Sequence, residues 1–303
     1  MSSLSQVFEN DCENQPCSGV SLIITPREKD LGGFSVRRAL PVKEQRKIGP
    51  WIFFDHAGPA TFAPGEGVDV RPHPHINLAT VTYMFEGSFM HRDSLGNEIA
   101  IAPGDINLMV AGKGIVHSER TPDDLRAAGH TLHALQLWLA LPEEDEEIDP
   151  AFYHYDAADL PTTEVDGIPI RVMMGEAYGV SSPVKTFAET LYFEADLKAG
   201  QTLELPKAEE RGVYVAAGQI EINSQAVNEF SLAVMEERDN TCVKATKDSR
   251  IALIGGEALG ERHMFWNFVS SRKERIEQAK SDWDDGKFPK VPGDDEEYIP
   301  LPK

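Results

Sequence analysis

Cysteine is scarce in this chain of 303 residues: Cys12, Cys17 and Cys242 are all it has. An odd, sparse set does not make a disulfide framework, so a reducing compartment is expected. Cys12 and Cys17 stand in the polar stretch NDCENQPCSG, at a spacing unlike a metal knuckle, and read as plain thiols. Long apolar runs are absent too. Nothing approaches the roughly 20 residues that span a bilayer, and the first twenty residues hold no apolar core of a secretory signal. Basic residues are in short supply, 29 against 50 acidic, for a net charge of −21. A field of that sign repels phosphates and argues against nucleic acid and anionic membranes as direct partners. A cytoplasmic protein is expected.

What is present reads as β structure. ATVTYMF, SFMHRD, NEIAIA, INLMV and IVHSE follow one another between residues 79 and 119, parted by Glu86-Gly87, SLGN, Pro103-Gly104-Asp105 and AGKG. Short strands punctuated by Gly, Asn and Pro predict an antiparallel sandwich or barrel. TLHALQLWLALP extends the series, with Leu135, Leu137 and Leu139 on one face and Trp138 on the other. PEEDEEIDPAF (142–152) reads as a solvated connector, placing a boundary that gives domains 1–145 and 146–303. The second half repeats the texture: Tyr214 stands against Tyr83 and Gly218 against Gly87, a sign of a duplicated module. In that alignment Glu204 and Pro206 take the places of His73 and His75, so no metal site is expected in the second copy. Near the end, Ser271 and Glu274 form a predicted capping box ahead of Ile276, Ala279 and Trp283 at helical spacing.

The chemistry concentrates in RPHPHINL (71–78) and GIVHSER (114–120). Prolines 72 and 74 hold the first stretch extended, so His73 and His75, at i and i+2, face the same way. They also remove two ladder donors and predict an edge strand. His117 and Glu119 share the i, i+2 relation. On adjacent antiparallel strands the four Cα atoms would frame a quadrilateral of about 5 by 7 Å, from which three imidazoles and a carboxylate can meet at one ion. With no thiolate, the set suits Fe(II), Mn, Ni, Cu or Zn. Four donors on an octahedral ion leave two neighbouring positions, one for a substrate and one for O2. The other histidines read as structural: His56 in FFDHAGP, His130, His133, His154 and His263. His91 reads as a packed strand histidine or a neighbour of the centre.

GPWIFFDHAGPATF, RPHPHINLATVTYMFEGSFMHRDSLGN and PGDINLMVAGKGIVHSER resemble the signature blocks of the pirin family within the cupin superfamily. The resemblance runs from about residue 20 to the end and is densest between 49 and 155. It implies an all-β bicupin: two antiparallel jelly-roll barrels, the first binding one metal ion, usually iron, and the second without a site, with a short C-terminal helix here. Carried over, the ligands fall on His73, His75, His117 and Glu119. Many other cupins take the carboxylate just after the histidine pair, but Ile76, Asn77, Leu78 and Ala79 offer no acid. The resemblance further implies a quercetinase-like dioxygenase that opens flavonol-like aromatics with O2 and releases carbon monoxide, Glu119 acting as ligand and base. It also allows a non-enzymatic iron-binding regulator acting through a protein partner. A zinc-dependent isomerase of the cupin type is the third reading.

Overall fold

The computed structural model describes residues 19–30, 34–236 and 241–303; Cys12 and Cys17 lie outside them. The fold is all-β: two antiparallel cupin barrels of the jelly-roll kind, with a short C-terminal helix. The chain divides into two compact units. One takes residues 27–43, 51–157 and 259–303; the other takes residues 44–50 and 158–258 with the N-terminal strand β1 (Val20–Ile24).

This division differs from the expected cut at 145/146 at both ends of the chain. β1 pairs with the strand Leu232–Met235 and so completes a sheet of the second copy. β12 (Ala151–Tyr155), just past the acidic connector, pairs instead with β9 (Ile106–Val110) of the first. The connector is not wholly solvated either. Glu146 is 2% exposed, ion-paired to Arg262 at 3.0 Å and hydrogen-bonded by Asn77 Nδ2 and Ser270 Oγ. A buried carboxylate with such partners acts as an anchor, and it ties the C-terminal segment to the first unit.

In that unit β2 (Arg27–Asp30), β3 (Ser35–Leu40), β4 (Trp51–Phe62), β6 (Leu78–Glu86) and β11 (His130–Ala140) join β9 and β12 in one sheet. Its order is β12-β9-β6-β11-β4-β3-β2. β5 (Asp69–His75), β7 (Phe89–Asp93), β8 (Glu98–Ile101) and β10 (Ile115–Arg120) make a second, ordered β5-β10-β7-β8. β5 lies at its edge, where a strand with prolines at 72 and 74 must lie. Met84, Leu132 and Ala134 of the large sheet meet Phe89 and Ile101 of the small one in a single apolar cluster.

The other unit repeats both sheets, with the strands Thr202–Glu204, Glu210–Ala217 and Cys242–Ala245 standing where β5, β6 and β10 stand in the first. The duplication is visible at Gly87 and Gly218, which end equivalent strands with φ of +81° and +86°. A Cβ at either would lie 2.2 Å from a backbone oxygen, of Thr131 or of Asp248, so only glycine fits. The contents of the copy differ. Glu204 is exposed, Leu203 and Leu205 are buried beside it, and Phe193, Val213, Val243 and Leu253 pack with them in an apolar core.

Two other findings differ from expectation. Cys242 is disulfide-bonded, where the sparse, odd cysteine set pointed to a reducing compartment. The capping box does not form: Ser271 donates its hydroxyl to Glu146 at 3.0 Å and the helix starts at Lys273 without a side-chain cap. The buried carboxylate outcompetes the local bond. The helix Lys273–Asp284 still buries Ile276 and Ala279 against Ile76 and Phe268, one residue past His75. Among the described residues no helix is long and apolar enough to cross a membrane.

Candidate metal centre

β10 pairs antiparallel with β5, His117 directly opposite His73 and Ile115 opposite His75. All three histidines are buried, and one ring nitrogen from each lies within 4.8 Å of the others. The Nε2 atoms of His75 and His117 stand 3.1 Å apart. Two nitrogens each about 2.1 Å from one ion lie about 3.0 Å apart at a right angle and about 3.4 Å apart at the tetrahedral angle. The observed edge is of the length two nitrogens on one ion would have.

The protonation state fits as well. Burial holds the His73 imidazole down to about 4 and those of His75 and His117 well below the usual histidine range. All three are therefore neutral near pH 7, the form that binds a metal. The His73 Nδ1–H donates to the Arg71 carbonyl at 2.8 Å, which leaves Nε2 with its lone pair. Nδ1 of His117 is buried without a hydrogen-bond partner. Three desolvated neutral imidazoles with no acid among them are costly unless a cation is shared. The donor set fits a divalent ion.

Glu119 follows His117 at i+2 on β10 and is likewise buried, but its carboxylate is not one of the clustered donors. The β5 pairing slips between His117 and Glu119, setting Glu119 opposite Val70. Its carboxylate is hydrogen-bonded by Gln136 of β11 and lies 3.4 Å from the Thr82 hydroxyl of β6. Burial raises its pKa, and the nearby His91 and the polar groups of Thr82 and Gln136 pull the other way.

Several residues around the centre escaped sequence reasoning. His91 was placed only as packed or nearby; its ring is 5.3 Å from that of His117 and stacks on Phe152 at 4.4 Å, with Nε2 3.1 Å from Asp93. Phe152, within the stretch expected to be connector, belongs to β12. Trp138 stands edge-on to His75 at 5.0 Å and stacks on Phe53 at 3.9 Å. The alternation that sets Trp138 on the face of β11 opposite the three leucines sets Gln136 there too. The sequence held no sign that β6 would bring Thr82 there.

His56 and His133 meet elsewhere, Nε2 to Nε2 at 2.6 Å, and burial with neighbouring positive charge lowers the His56 pKa to about 3. His130 stacks on Phe62, and His263 lies in the hairpin before the helix. Asp105, His154 and Asp156 form a second group of clustered donors. There the Asp105 carboxylate accepts the Ala102 and Ala157 N–H groups, His154 Nδ1 faces Asn107 Oδ1 at 2.7 Å, and Asp156 is exposed. It closes a turn with its polar atoms already engaged.

The pirin family profile matches residues 33–139, and the profile of the pirin C-terminal cupin domain matches residues 192–289. A pirin-like protein of Caulobacter vibrioides is 45% identical over 288 residues, covering 94% of this chain and all of the relative. A crystal structure of quercetin 2,3-dioxygenase from Acinetobacter baumannii superposes with a TM-score of 0.86 at 35% identity, covering 93% of this chain and 95% of that one. A bacterial pirin from Escherichia coli, solved in complex with nickel(II), shares the fold at a TM-score of 0.62 and 20% identity, over 78% of this chain and 99% of that one. Matched in both halves and along nearly its whole length, the chain belongs to the pirin family.

Proposed function

We propose that this protein is a metal-dependent dioxygenase of the quercetinase kind, opening flavonol-like aromatic substrates with O2 and releasing carbon monoxide. The observation that carries the reading is the trio of buried, neutral histidines with a buried carboxylate two residues along the same strand. His73, His75 and His117 would hold one divalent ion, Fe(II) in first place among Fe, Mn, Ni, Cu and Zn, and Glu119 would complete the set. When bound, the ion supplies a Lewis acid and a route for electrons between an ionised substrate and O2.

The side chains of the protein do the rest. Glu119 takes the proton of the substrate hydroxyl; burial raises its affinity for that proton, and Gln136 holds the carboxylate in place. The Thr82 hydroxyl is 2.7 Å from Gln136 Oε1 and 3.4 Å from Glu119 Oε1, so its single proton goes to the glutamine. Glu119 thus keeps an acceptor free. Phe53, Trp138 and Phe152 supply apolar surface that excludes water from the charged intermediate states of the substrate. The likeness at 35% identity to a quercetin 2,3-dioxygenase supports the same substrate class.

The test is direct. Protein loaded with Fe(II) under nitrogen is mixed with a flavonol and then with oxygenated buffer. Bleaching of the flavonol band with release of one CO per ring opened is the expected result. Unchanged absorbance with no CO would overturn the reading, and iron-dependent capture of a protein partner would take its place.

A further inference from the structure

The indole of Trp138 is the unexplained group of this centre. It is 6% exposed, and its Nε1–H is buried without a hydrogen-bond partner. Buried indoles ordinarily find an acceptor, and an unmet donor is destabilising. The ring cannot swing to find one. It lies against Phe53 at 3.9 Å with 9° between the planes, and the guanidinium of Arg38 covers Phe53 at 4.4 Å. Arg38 is itself held by two bonds to Asp55, at 2.8 and 2.7 Å. A stack this constrained presents its donor in a fixed place.

The neighbours on the same side of the sheet are already satisfied. Gln136, two residues earlier on β11, is engaged by Thr82 and Glu119, and Asp55 by Arg38. Trp138 alone of this group has an unused polar atom, and its ring is 5.0 Å from that of the ligand candidate His75. An indole can donate but not accept, so the missing partner is an acceptor oxygen. The surface around it is aromatic, which favours a flat π system over a sugar or an aliphatic acid.

We propose that the Trp138 indole N–H is a ligand-binding donor, taking a carbonyl or phenolic oxygen of a planar aromatic molecule bound at the three histidines. This rests on the reading of the centre as one that admits flavonol-like substrates. Trp138 is then a specificity-determining residue: it favours aromatics with an oxygen on the edge facing β11 over those with hydrogen there.

The probe is 3-hydroxyflavone, added without oxygen to zinc-loaded protein labelled with 15N at its four tryptophans. The Trp138 indole cross-peak is identified by its loss in Trp138→Phe. Should that variant not fold, Phe53→Leu identifies it instead by shifting the stacked indole. The Trp138 peak is expected to move downfield on saturation, and Trp138→Phe is expected to bind the flavone about tenfold more weakly with unchanged zinc content. A Trp138 peak that stays in place while the flavone binds, or a flavone that does not bind, overturns the proposal. A shifted indole in a protein whose iron form leaves flavonols unbleached would uphold the donor and remove only the dioxygenase reading.

Discussion

Gln136 stands directly opposite Thr82 across β11 and β6, and the threonine hydroxyl donates to its carboxamide oxygen at 2.7 Å. That bond orients the glutamine so that its amide reaches Glu119, a residue of a different sheet. The Glu119 carboxylate is thus positioned through two strands of the other sheet.

Replacing Gln136 by Leu tests this arrangement. Hydrogen bonds to an ionised carboxylate favour the charged form, so their loss raises the Glu119 pKa further. The acidic limb of the kcat/KM profile for flavonol should move to higher pH, with a fall of about tenfold or more at the original working pH. An unmoved limb would show that Glu119 is not the base.

Removal of single donors separates the roles of the four site residues. His117→Ala takes away one of three clustered nitrogens and is expected to abolish stoichiometric metal binding. Glu119→Gln leaves the cluster intact, so metal should be retained with reduced affinity while flavonol turnover is lost. Elemental analysis of both proteins, with circular dichroism to confirm the β fold, checks the difference.

The metal-free protein should be sensitive to acid. His73 is depressed to about 4, His56 to about 3, and His75 and His117 also lie below the ordinary value of 6.5. The unfolded chain therefore binds more protons than the folded one once the pH falls below about 6.5. Stability should decline from there through pH 4 and level off only below the folded-state values. Urea denaturation of chelator-treated protein between pH 8 and pH 4 measures it, with metal-loaded protein resisting until the ion is released. A flat profile would mean that the histidines are not held neutral.

Glu146→Ala should unfold the chain more readily than any surface substitution. It takes from the buried Arg262 side chain its close carboxylate, leaving Glu143 at 3.9 Å and the Leu141 carbonyl, and strips partners from Asn77, Ser270 and Ser271. Breaking a buried pair in this way costs roughly 3–5 kcal/mol. Denaturant titration should show that loss, and Lys113→Ala, which removes an exposed pair with Asp149, should show almost none.

Much of this protein could be read from local sequence. The strands from 79 to 119 announce themselves by β-branched runs between turn residues, because alternation and turn chemistry act over a few neighbours. Two prolines were enough to make His73 and His75 a same-face pair on an edge strand. The repeat of Tyr83 and Gly87 by Tyr214 and Gly218 reflects a turn that only glycine can make in both copies.

Tertiary structure decided the remainder, since each such outcome is a competition between partners far apart in the chain. Ser271 had a local cap available and gave its hydroxyl to Glu146, which lies 125 residues away. β1 and β12 each joined the copy that their position in the chain did not suggest, because sheet edges pair with whatever strand reaches them. The sequence by itself determined which donors exist and which of them share a strand face; that His117 comes to stand opposite His73, and where the carboxylate of Glu119 turns, were decided by strand pairing and by Thr82 and Gln136, through contacts that no spacing along the chain encodes.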